Sequence, residues 1–252
     1  MRLFRGIEEY TSLGDTVVTV GSFDGVHSGH RSLLKTLRER ATARGLKSIV
    51  VSFSPHPRVA LGRADGLKLL SSDIEKEFLL NQEGIDALLL LTFDKQLSTL
   101  SYEEFVVEYL IKRLNMKELI IGFNHHMGHN GGGSENLLLS AEQYNFKAII
   151  ADEFSQQGEK ISSTVVRKLI ESGDITSANR LLKQPYLIIG ETNSLGALAH
   201  SEPLKLMPPA GHYICDVDGI EQLITIDEEL TIWSNITNSE IEIKVKERYE
   251  KR

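Results

Sequence analysis

A glycine-rich stretch with two histidines lies near the start of the chain and contains the residue types that contact phosphate. Residues 21–30 read Gly-Ser-Phe-Asp-Gly-Val-His-Ser-Gly-His, between an apolar run and a predicted amphipathic helix. His27 and His30 therefore lie at the start of that helix, where both can reach one ligand. The free N–H groups and the positive dipole end of a helix N-terminus favour an anion. The spacing fits neither the Gly-x-Gly-x-x-Gly dinucleotide pattern nor the P-loop.

Two other interpretations of the histidine pair stay open. A zinc site would need a third or fourth ligand, which His125, His126 or His129 could supply. No cysteine or glutamate pattern accompanies these residues, so we assign no metal ligand. The histidines could also be loop residues without a role, which the flanking glycines disfavour.

A second group of candidate residues precedes a later apolar helical run. Ser162, Ser163 and Thr164 stand at its start, and Arg167 follows about one turn into the helix. Hydroxyl residues at this position are common as plain N-caps. The added guanidinium allows an anion site made of helix N–H groups, hydroxyls and an arginine.

The pattern between residues 16 and 151 alternates strand and helix. Consecutive Val, Ile and Leu residues predict buried parallel strands at 16–21, 47–53, 86–92, 117–122 and 146–151. Amphipathic segments predict helices at 30–44, 72–83, 101–114 and 134–144. The second and third of these begin with Ser-x-x-Glu capping boxes, and glycines follow the first and second. This series predicts an α/β fold with a doubly wound, Rossmann-like parallel sheet.

Ligands of open α/β sheets bind beyond the carboxyl ends of the strands. Each of the first four predicted strands is followed there by polar or aromatic residues, and six of the eight histidines lie in these loops. The loops contain 22–30, Ser54-Pro55-His56-Pro57, Phe93-Asp94 and 123–133. The convergence of these loops on one sheet edge indicates a site more strongly than any single loop.

The last third of the chain has a different pattern. Helices are predicted at 163–172 and 175–183, and alternating strands at 186–190, 213–217, 222–226, 229–233 and 240–246. We place a domain boundary near 183–186. The prediction is an α/β domain over 1–183 and a small β-rich module over 184–252.

The composition limits the class of protein. The 252 residues carry a net charge of −7 and contain one cysteine. The negative charge disfavours non-specific binding to nucleic acid or to an acidic membrane. The lone Cys215 excludes an internal disulfide and suggests a reducing, cytoplasmic location. We see neither a signal-peptide core nor an apolar run of membrane-spanning length, so we expect no membrane partner.

The four loops together resemble the bacterial FAD synthetases, the family of bifunctional riboflavin kinase/FMN adenylyltransferases. Residues 21–30 match the family's Gly-x-Phe-Asp-Gly-x-His-x-Gly-His signature, and 54–57 resemble its Asp/Ser-Pro-His-Pro loop. Residues 122–124, with the glycines after them, resemble its flavin and nucleotide loop. Residues 161–167 match Ile-Ser-Ser-Thr-x-x-Arg. The resemblance extends in order over about 12–183.

The resemblance implies FAD synthesis from ATP and FMN with release of pyrophosphate, and Mg²⁺ accompanying the ATP. By that resemblance, the catalytic residues are His27, His30, Asn124 and Arg167. The residues expected to bind substrates are Gly21, Ser22, Phe23, Asp24, Gly29, Pro55, His56, Pro57, Phe123, Gly128, Ser162, Ser163 and Thr164. Pro55 and Pro57 could equally well serve only to make their loop rigid. Asp24 could be a turn or capping residue and not a catalytic one.

The chain departs from the family pattern in two places. The flavin loop reads Asn-His-His-Met-Gly at 124–128, where the family more often has a basic residue and Phe before the glycine. The kinase motif Gly-Phe-Pro-Thr-Ala-Asn is replaced by Gly-Ala-Leu-Ala-His-Ser at 196–201. We therefore expect riboflavin kinase activity to be absent or weak. The alternatives are a nucleotidyltransferase with another phosphorylated acceptor and a non-catalytic flavin- or nucleotide-binding protein. The sequence does not predict an oligomeric state.

Overall fold

The computed structural model of the protein describes residues 1–122, 134–151, 155–156, 159–199 and 202–249. The chain forms two compact units. The first unit contains residues 1–23, 29–66 and 80–155. The second unit contains residues 24–28, 67–79 and 156–252. The predicted boundary near 183–186 stays a prediction.

A six-stranded parallel sheet is the centre of the first unit. Its strands are β1 (Arg2–Arg5), β2 (Thr16–Val20), β3 (Lys47–Ser54), β4 (Ala87–Thr92), β5 (Met116–Gly122) and β6 (Lys147–Ala151). Their order is β1-β4-β3-β2-β5-β6, with every neighbouring pair parallel. The doubly wound α/β fold is confirmed. The chain reverses its direction of winding at β2 and β5, so the carboxyl ends of these strands form the topological switch point where such sheets bind ligands. The sequence analysis missed the edge strand β1.

Up to residue 143 the described part of the chain contains six α-helices, and the predicted helices 30–44, 72–83 and 134–144 match three of them to within two residues at each end. The six helices are α1 (Ser28–Arg44), α2 (Pro57–Ala60), α3 (Asp73–Gln82), α4 (Lys95–Thr99), α5 (Tyr102–Glu104) and α6 (Ser134–Gln143). Both capping boxes form: Ser72 with Glu75, and Ser101 with Glu104. The short helices α2 and α4 were not predicted, because each has only a few residues.

The predicted α-helix over 101–114 is wrong in one respect, since Phe105–Ile111 form a π-helix. Wider hydrogen bonds run from the N–H of Lys112 to the carbonyl of Val107, and from Leu114 to Tyr109. This winding buries Phe105, Val106 and Leu110 on one face. An apolar pattern over seven residues does not distinguish the two helical periods.

The second unit combines two helices with an antiparallel sheet. The helices are α7 (Ser163–Glu171) and α8 (Ile175–Leu182). A two-stranded ladder pairs β7 (Ser155–Gln156) with β8 (Glu159–Lys160). The sheet strands are β9 (Tyr186–Thr192), β10 (Leu198–Ala199), β11 (Gly211–Val217), β12 (Ile220–Ile226), β13 (Ile232–Trp233) and β14 (Glu240–Arg248). Their order is β10-β9-β14-β11-β12-β13. A bridge between Ala197 and Trp233 joins the two ends of this order, which gives the sheet its barrel-like form.

The predicted strand 229–233 is shorter in the structure. Only Ile232 and Trp233 are strand, because the Asp227 carboxylate accepts the backbone N–H groups of Glu229 and Thr231 and holds a turn there. The predicted alternation of 240–246 is confirmed, with Ile241, Ile243 and Val245 buried.

One apolar core fills the second unit. Helices α7 and α8 contribute Val166, Ile170, Ala178 and Leu181, and the sheet contributes, among others, Tyr186 and Ile243. Cys215 belongs to this core, and burial raises the pKa of its thiol to about 12. Cys215 is therefore a buried core side chain and not an exposed thiol. In the part of the chain that the structure describes, no helix is both long and apolar enough to cross a membrane.

Two threonines of β2 allow a direct test of core packing. The hydroxyl of Thr16 donates to the carbonyl of Leu114 at 2.8 Å. The hydroxyl of Thr19 is equally buried and has no hydrogen-bond partner among the described residues. An unsatisfied buried hydroxyl lowers stability, so Thr19→Val is expected to raise the free energy of unfolding by about 1 kcal/mol.

Thr16→Val is the matched control. It removes the hydrogen bond to the carbonyl of Leu114 and is therefore expected to lower the free energy of unfolding by about 1–2 kcal/mol. Thermal or urea unfolding measures both. A Thr19→Val protein less stable than the Thr16→Val protein contradicts the prediction.

Candidate active site

The glycine-rich stretch between β2 and α1 has an unusual backbone. Phe23 and Val26 have φ angles of 48° and 43°, and Gly25 has a φ of 80°. A Cβ at Gly25 would lie 2.7 Å from Cδ1 of Leu70, so only glycine fits there. Such local strain is typical of functional loops. The division into units passes through this stretch, with Asp24–Ser28 in the second unit and the residues on either side in the first.

Asp24 is the most connected residue of this stretch. Its Oδ1 accepts the backbone N–H of Ser71 at 3.0 Å, and its Oδ2 accepts Nη2 of Arg167 at 2.7 Å. Its backbone carbonyl accepts the hydroxyl of Ser163 at 3.0 Å. Asp24 is 2% exposed. The carboxylate therefore holds Arg167 in place, and its assignment as a substrate-binding residue stays a prediction.

The start of α7 brings together the predicted hydroxyl residues and Arg167. Ser162 is the N-cap and accepts the N–H of Val165 at 3.4 Å, as the plain capping interpretation predicts. Arg167 lies one turn further along, and its Nε is buried with no hydrogen-bond partner among the described residues. A buried N–H without a partner is rare in native proteins and calls for an acceptor.

The sequence analysis missed a second such group, the hydroxyl of Ser28. Ser28 is the first residue of α1, is 3% exposed, and its Oγ also lacks a partner in the described ranges. Both Ser28 and Arg167 belong to the second unit. The sequence His-Ser-Gly-His could have indicated Ser28, because a hydroxyl at the first position of a helix can contact an anion bound at the helix N-terminus.

His27 is buried beside this ion pair. Burial lowers the pKa of His27 to about 4, the negative charge of Asp24 opposes that change and the positive charge of Arg167 adds to it. Its imidazole is therefore neutral at pH 7 and can donate one hydrogen bond without carrying a charge. His30 lies in the first turn of α1, with its ring centroid 5.1 Å from that of Phe23.

The remaining candidates either make capping contacts in the first unit or lie outside the described residues. His56 caps α2, accepting the N–H of Arg58 at its Nδ1, and a cis peptide bond joins Ser54 to Pro55. Asp94 caps α4. Phe123, Asn124 and Gly128, with the other three loop histidines, lie outside the described residues.

Comparison with known proteins assigns the family. The profile of the FAD synthetase family matches residues 10–165. The chain is 33% identical over 184 residues to the bifunctional riboflavin kinase/FMN adenylyltransferase of Listeria monocytogenes. It is 31% identical over 232 residues to the protein of that name from Escherichia coli K12. The chain belongs to the FAD synthetase family. The matches cover 73% and 87% of this chain, and 58% and 74% of the two relatives.

The FAD synthetase match contains the glycine-rich stretch, the 54–57 loop and the hydroxyl residues 162–164 at the start of α7, and Arg167 lies two residues beyond it. A crystal structure from Streptococcus pneumoniae, described as that of a macrolide-efflux protein, has the same fold. Its TM-score is 0.84 at 25% identity, and the match covers 98% of each chain. The short antiparallel module is therefore part of a shared architecture.

The pKa of His27 predicts a pH dependence of stability. Between its ordinary value and about 4 the unfolded chain binds a proton at His27 and the folded chain does not. The folded state therefore loses about 3 kcal/mol of stability as the pH falls from 6.5 to 4. His27→Asn is expected to reduce that loss.

Urea unfolding of both proteins at several pH values checks this expectation. The difference between the two curves isolates His27 from the carboxylates that titrate in the same range. Equal slopes for the two proteins contradict the assignment.

Proposed function

We propose that this chain transfers the AMP moiety of ATP to FMN, which forms FAD and releases pyrophosphate. Family membership and the names of the curated relatives support this activity. The structural observation that supports it best is that two buried polar groups, Ser28 Oγ and Arg167 Nε, have no hydrogen-bond partner among the described residues. Ser28 is the first residue of α1 and Arg167 lies one turn into α7, and the N–H groups and dipole of a helix N-terminus favour phosphate.

In this proposal the FMN phosphate attacks the α-phosphorus of ATP and pyrophosphate leaves. A phosphate monoester with a second pKa of about 6 is mostly a dianion at pH 7, so the attacking oxygen needs no general base. Catalysis then depends on positioning and on stabilisation of charge. His27 and His30 donate hydrogen bonds to the transferring phosphoryl group and to the departing pyrophosphate.

Other residues hold the substrates. Ser163, Thr164 and Arg167 bind the β- and γ-phosphates, and Asn124 orients the nucleotide. The expected flavin-side residues are Pro55, His56, Pro57, Phe123 and Gly128. The capping bonds of Ser162 and His56 keep the starts of α7 and α2 in place for these contacts.

Mg²⁺ bound to ATP as part of the substrate would neutralise charge on the triphosphate. Among the described candidate residues, only Asp24 has a carboxylate that could bind a metal ion. Both of its oxygens already accept protein N–H groups. The described residues contain no cluster of three or more His, Cys, Asp or Glu side chains suited to a metal ion. The residues present therefore do not fit a resident metal, and no step here depends on one.

FAD formation from FMN, ATP and Mg²⁺ tests the activity directly. His30→Ala and Arg167→Ala are each expected to lower kcat/KM for FAD formation roughly 100-fold, the usual loss for one charge-stabilising donor. His212→Ala, at an exposed histidine of β11, is the matched control and should retain the rate.

The outcomes separate the alternative functions. ATP binding without FMN binding would indicate another phosphorylated acceptor. Tight FMN binding without FAD formation would indicate a non-catalytic binding protein.

The other activity in the relatives' name, riboflavin kinase, is expected to be absent or weak in this chain. The stretch 196–201 lacks the threonine and asparagine of the kinase motif. In the described part of that stretch, Gly196 is packed against the backbone of Ser234, where a Cβ would lie 2.1 Å from its carbonyl oxygen. Riboflavin and ATP should therefore give little or no FMN in an assay where the same preparation converts FMN to FAD. Conversion of riboflavin at a rate similar to that of FMN contradicts this prediction.

A further inference from the structure

Lys205 and Glu75 form a buried ion pair in the second unit. Nζ of Lys205 lies 2.6 Å from Oε2 of Glu75, and both side chains are 1% exposed. The ammonium group also donates to the carbonyls of Leu70 and Leu187 at 2.7 Å each. Its three protons are therefore all used, as the burial of a charge requires.

The Glu75 carboxylate is equally well satisfied. Its Oε1 accepts the backbone N–H of Ile189 in β9 at 2.9 Å. Its Oε2 accepts the N–H of Ser72 at 2.8 Å, which is half of the capping box at the start of α3. One carboxylate thus connects β9 to the residues just before α3.

These contacts hold Ser71 from both sides. Lys205 binds the carbonyl of Leu70, and Glu75 binds the N–H of Ser72. The backbone N–H of Leu69 donates to the carbonyl of Leu204, and the carbonyl of Leu69 accepts the N–H of Leu206. The short segment 69–72 is therefore held to the residues around Lys205 along its whole length.

Ser71 is hydrogen-bonded to Asp24, so the position of Ser71 determines the position of the Asp24 carboxylate. Its N–H and its hydroxyl both donate to Oδ1 of Asp24, at 3.0 and 3.3 Å. Its Oγ also accepts the N–H of Gly25 at 3.0 Å. The other carboxylate oxygen of Asp24 holds Arg167. The contacts therefore form an unbroken series from Lys205 to the guanidinium.

The charges in this series balance. Lys205 and Arg167 are cations, Glu75 and Asp24 are anions, and Nζ of Lys205 lies 4.3 Å from the ring centroid of Tyr186. Desolvation makes a buried ion pair a weak source of stability compared with apolar residues of similar size. An apolar pair would fill the same space, but it would leave the backbone groups of Leu70 and Ser72 without these partners.

We propose that Lys205 and Glu75 are positioning residues for phosphate binding, acting through Ser71 and Asp24 on Arg167. We call Lys205, Glu75, Ser71 and Asp24 the Lys205 relay. This inference rests on the proposed function, because it takes Arg167 as a phosphate ligand. It gives the β-rich module, to which Lys205 belongs, a role in adenylyl transfer that needs no kinase chemistry.

The test is a double-mutant cycle read by ATP binding. Glu75→Gln and Lys205→Met are expected to raise the Kd for ATP roughly tenfold, within the range found for coupled neighbours. The KM for ATP should rise in parallel, while the KM for FMN stays unchanged. In an Arg167→Ala background the same substitutions should change the Kd for ATP about twofold or less, because the relay acts only through Arg167.

The matched control is the exposed ion pair of Lys246 and Glu221 in the same unit, 2.7 Å apart. Lys246→Met and Glu221→Gln should leave the Kd for ATP unchanged. Folding is checked by circular dichroism and thermal unfolding for every variant. Where Lys205→Met does not fold, Ser71→Ala decides, since it leaves the ion pair intact and should raise the Kd about threefold.

Each outcome has a defined meaning. Folded Glu75→Gln and Ser71→Ala proteins that are less heat-stable but bind ATP normally show a purely structural pair and overturn the proposal. Equal effects with and without Arg167 also overturn it. A wild-type protein that binds ATP but forms no FAD contradicts the proposed function alone, because the binding cycle still decides the relay. A wild-type protein that does not bind ATP overturns both.

Discussion

The ion pair between Asp24 and Arg167 is the contact on which the candidate site depends. It joins residues 143 positions apart in the chain at 2.7 Å, inside the second unit. Hydrogen bonds from Ser163 to the backbone of Asp24, and from Ser71 to its carboxylate, act on the same residue. A charge-assisted bond in a region of low dielectric is stronger than a neutral one, so this pair sets the direction of the guanidinium.

The electrostatics of His27 follow from the same burial. A charged imidazole next to Arg167 would lack solvent, and the nearby Asp24 carboxylate is already occupied by Arg167 and Ser71. The ring is therefore neutral at pH 7, so it can donate a hydrogen bond but does not add a second cation. Among Asp24, Arg167 and His27, Arg167 is therefore the cation, and the helix N-termini add partial positive charge.

Much of the first unit could be predicted from local patterns. Uninterrupted Val, Ile and Leu runs belong to strands covered on both faces, and β2 to β6 were found in this way. The Ser-x-x-Glu pairs marked two helix starts correctly, because a capping box involves only residues three apart. The edge strand β1, the π-helix at 105–111 and the turn after Asp227 were not found. Each depends on partners or packing that a local pattern does not contain.

The sequence by itself determined the chemical character of this protein: two histidines at a helix start, hydroxyls with an arginine at another, and the order of four loops typical of FAD synthetases. Those features depend on residue type and short spacing, which are visible along the chain. Only the tertiary structure decided that Arg167 is held by Asp24, that Ser28 and Arg167 keep buried polar atoms without described partners, and that Lys205 and Glu75 form a buried pair. The physical reason is that burial and ion pairing depend on distances between residues far apart in the chain.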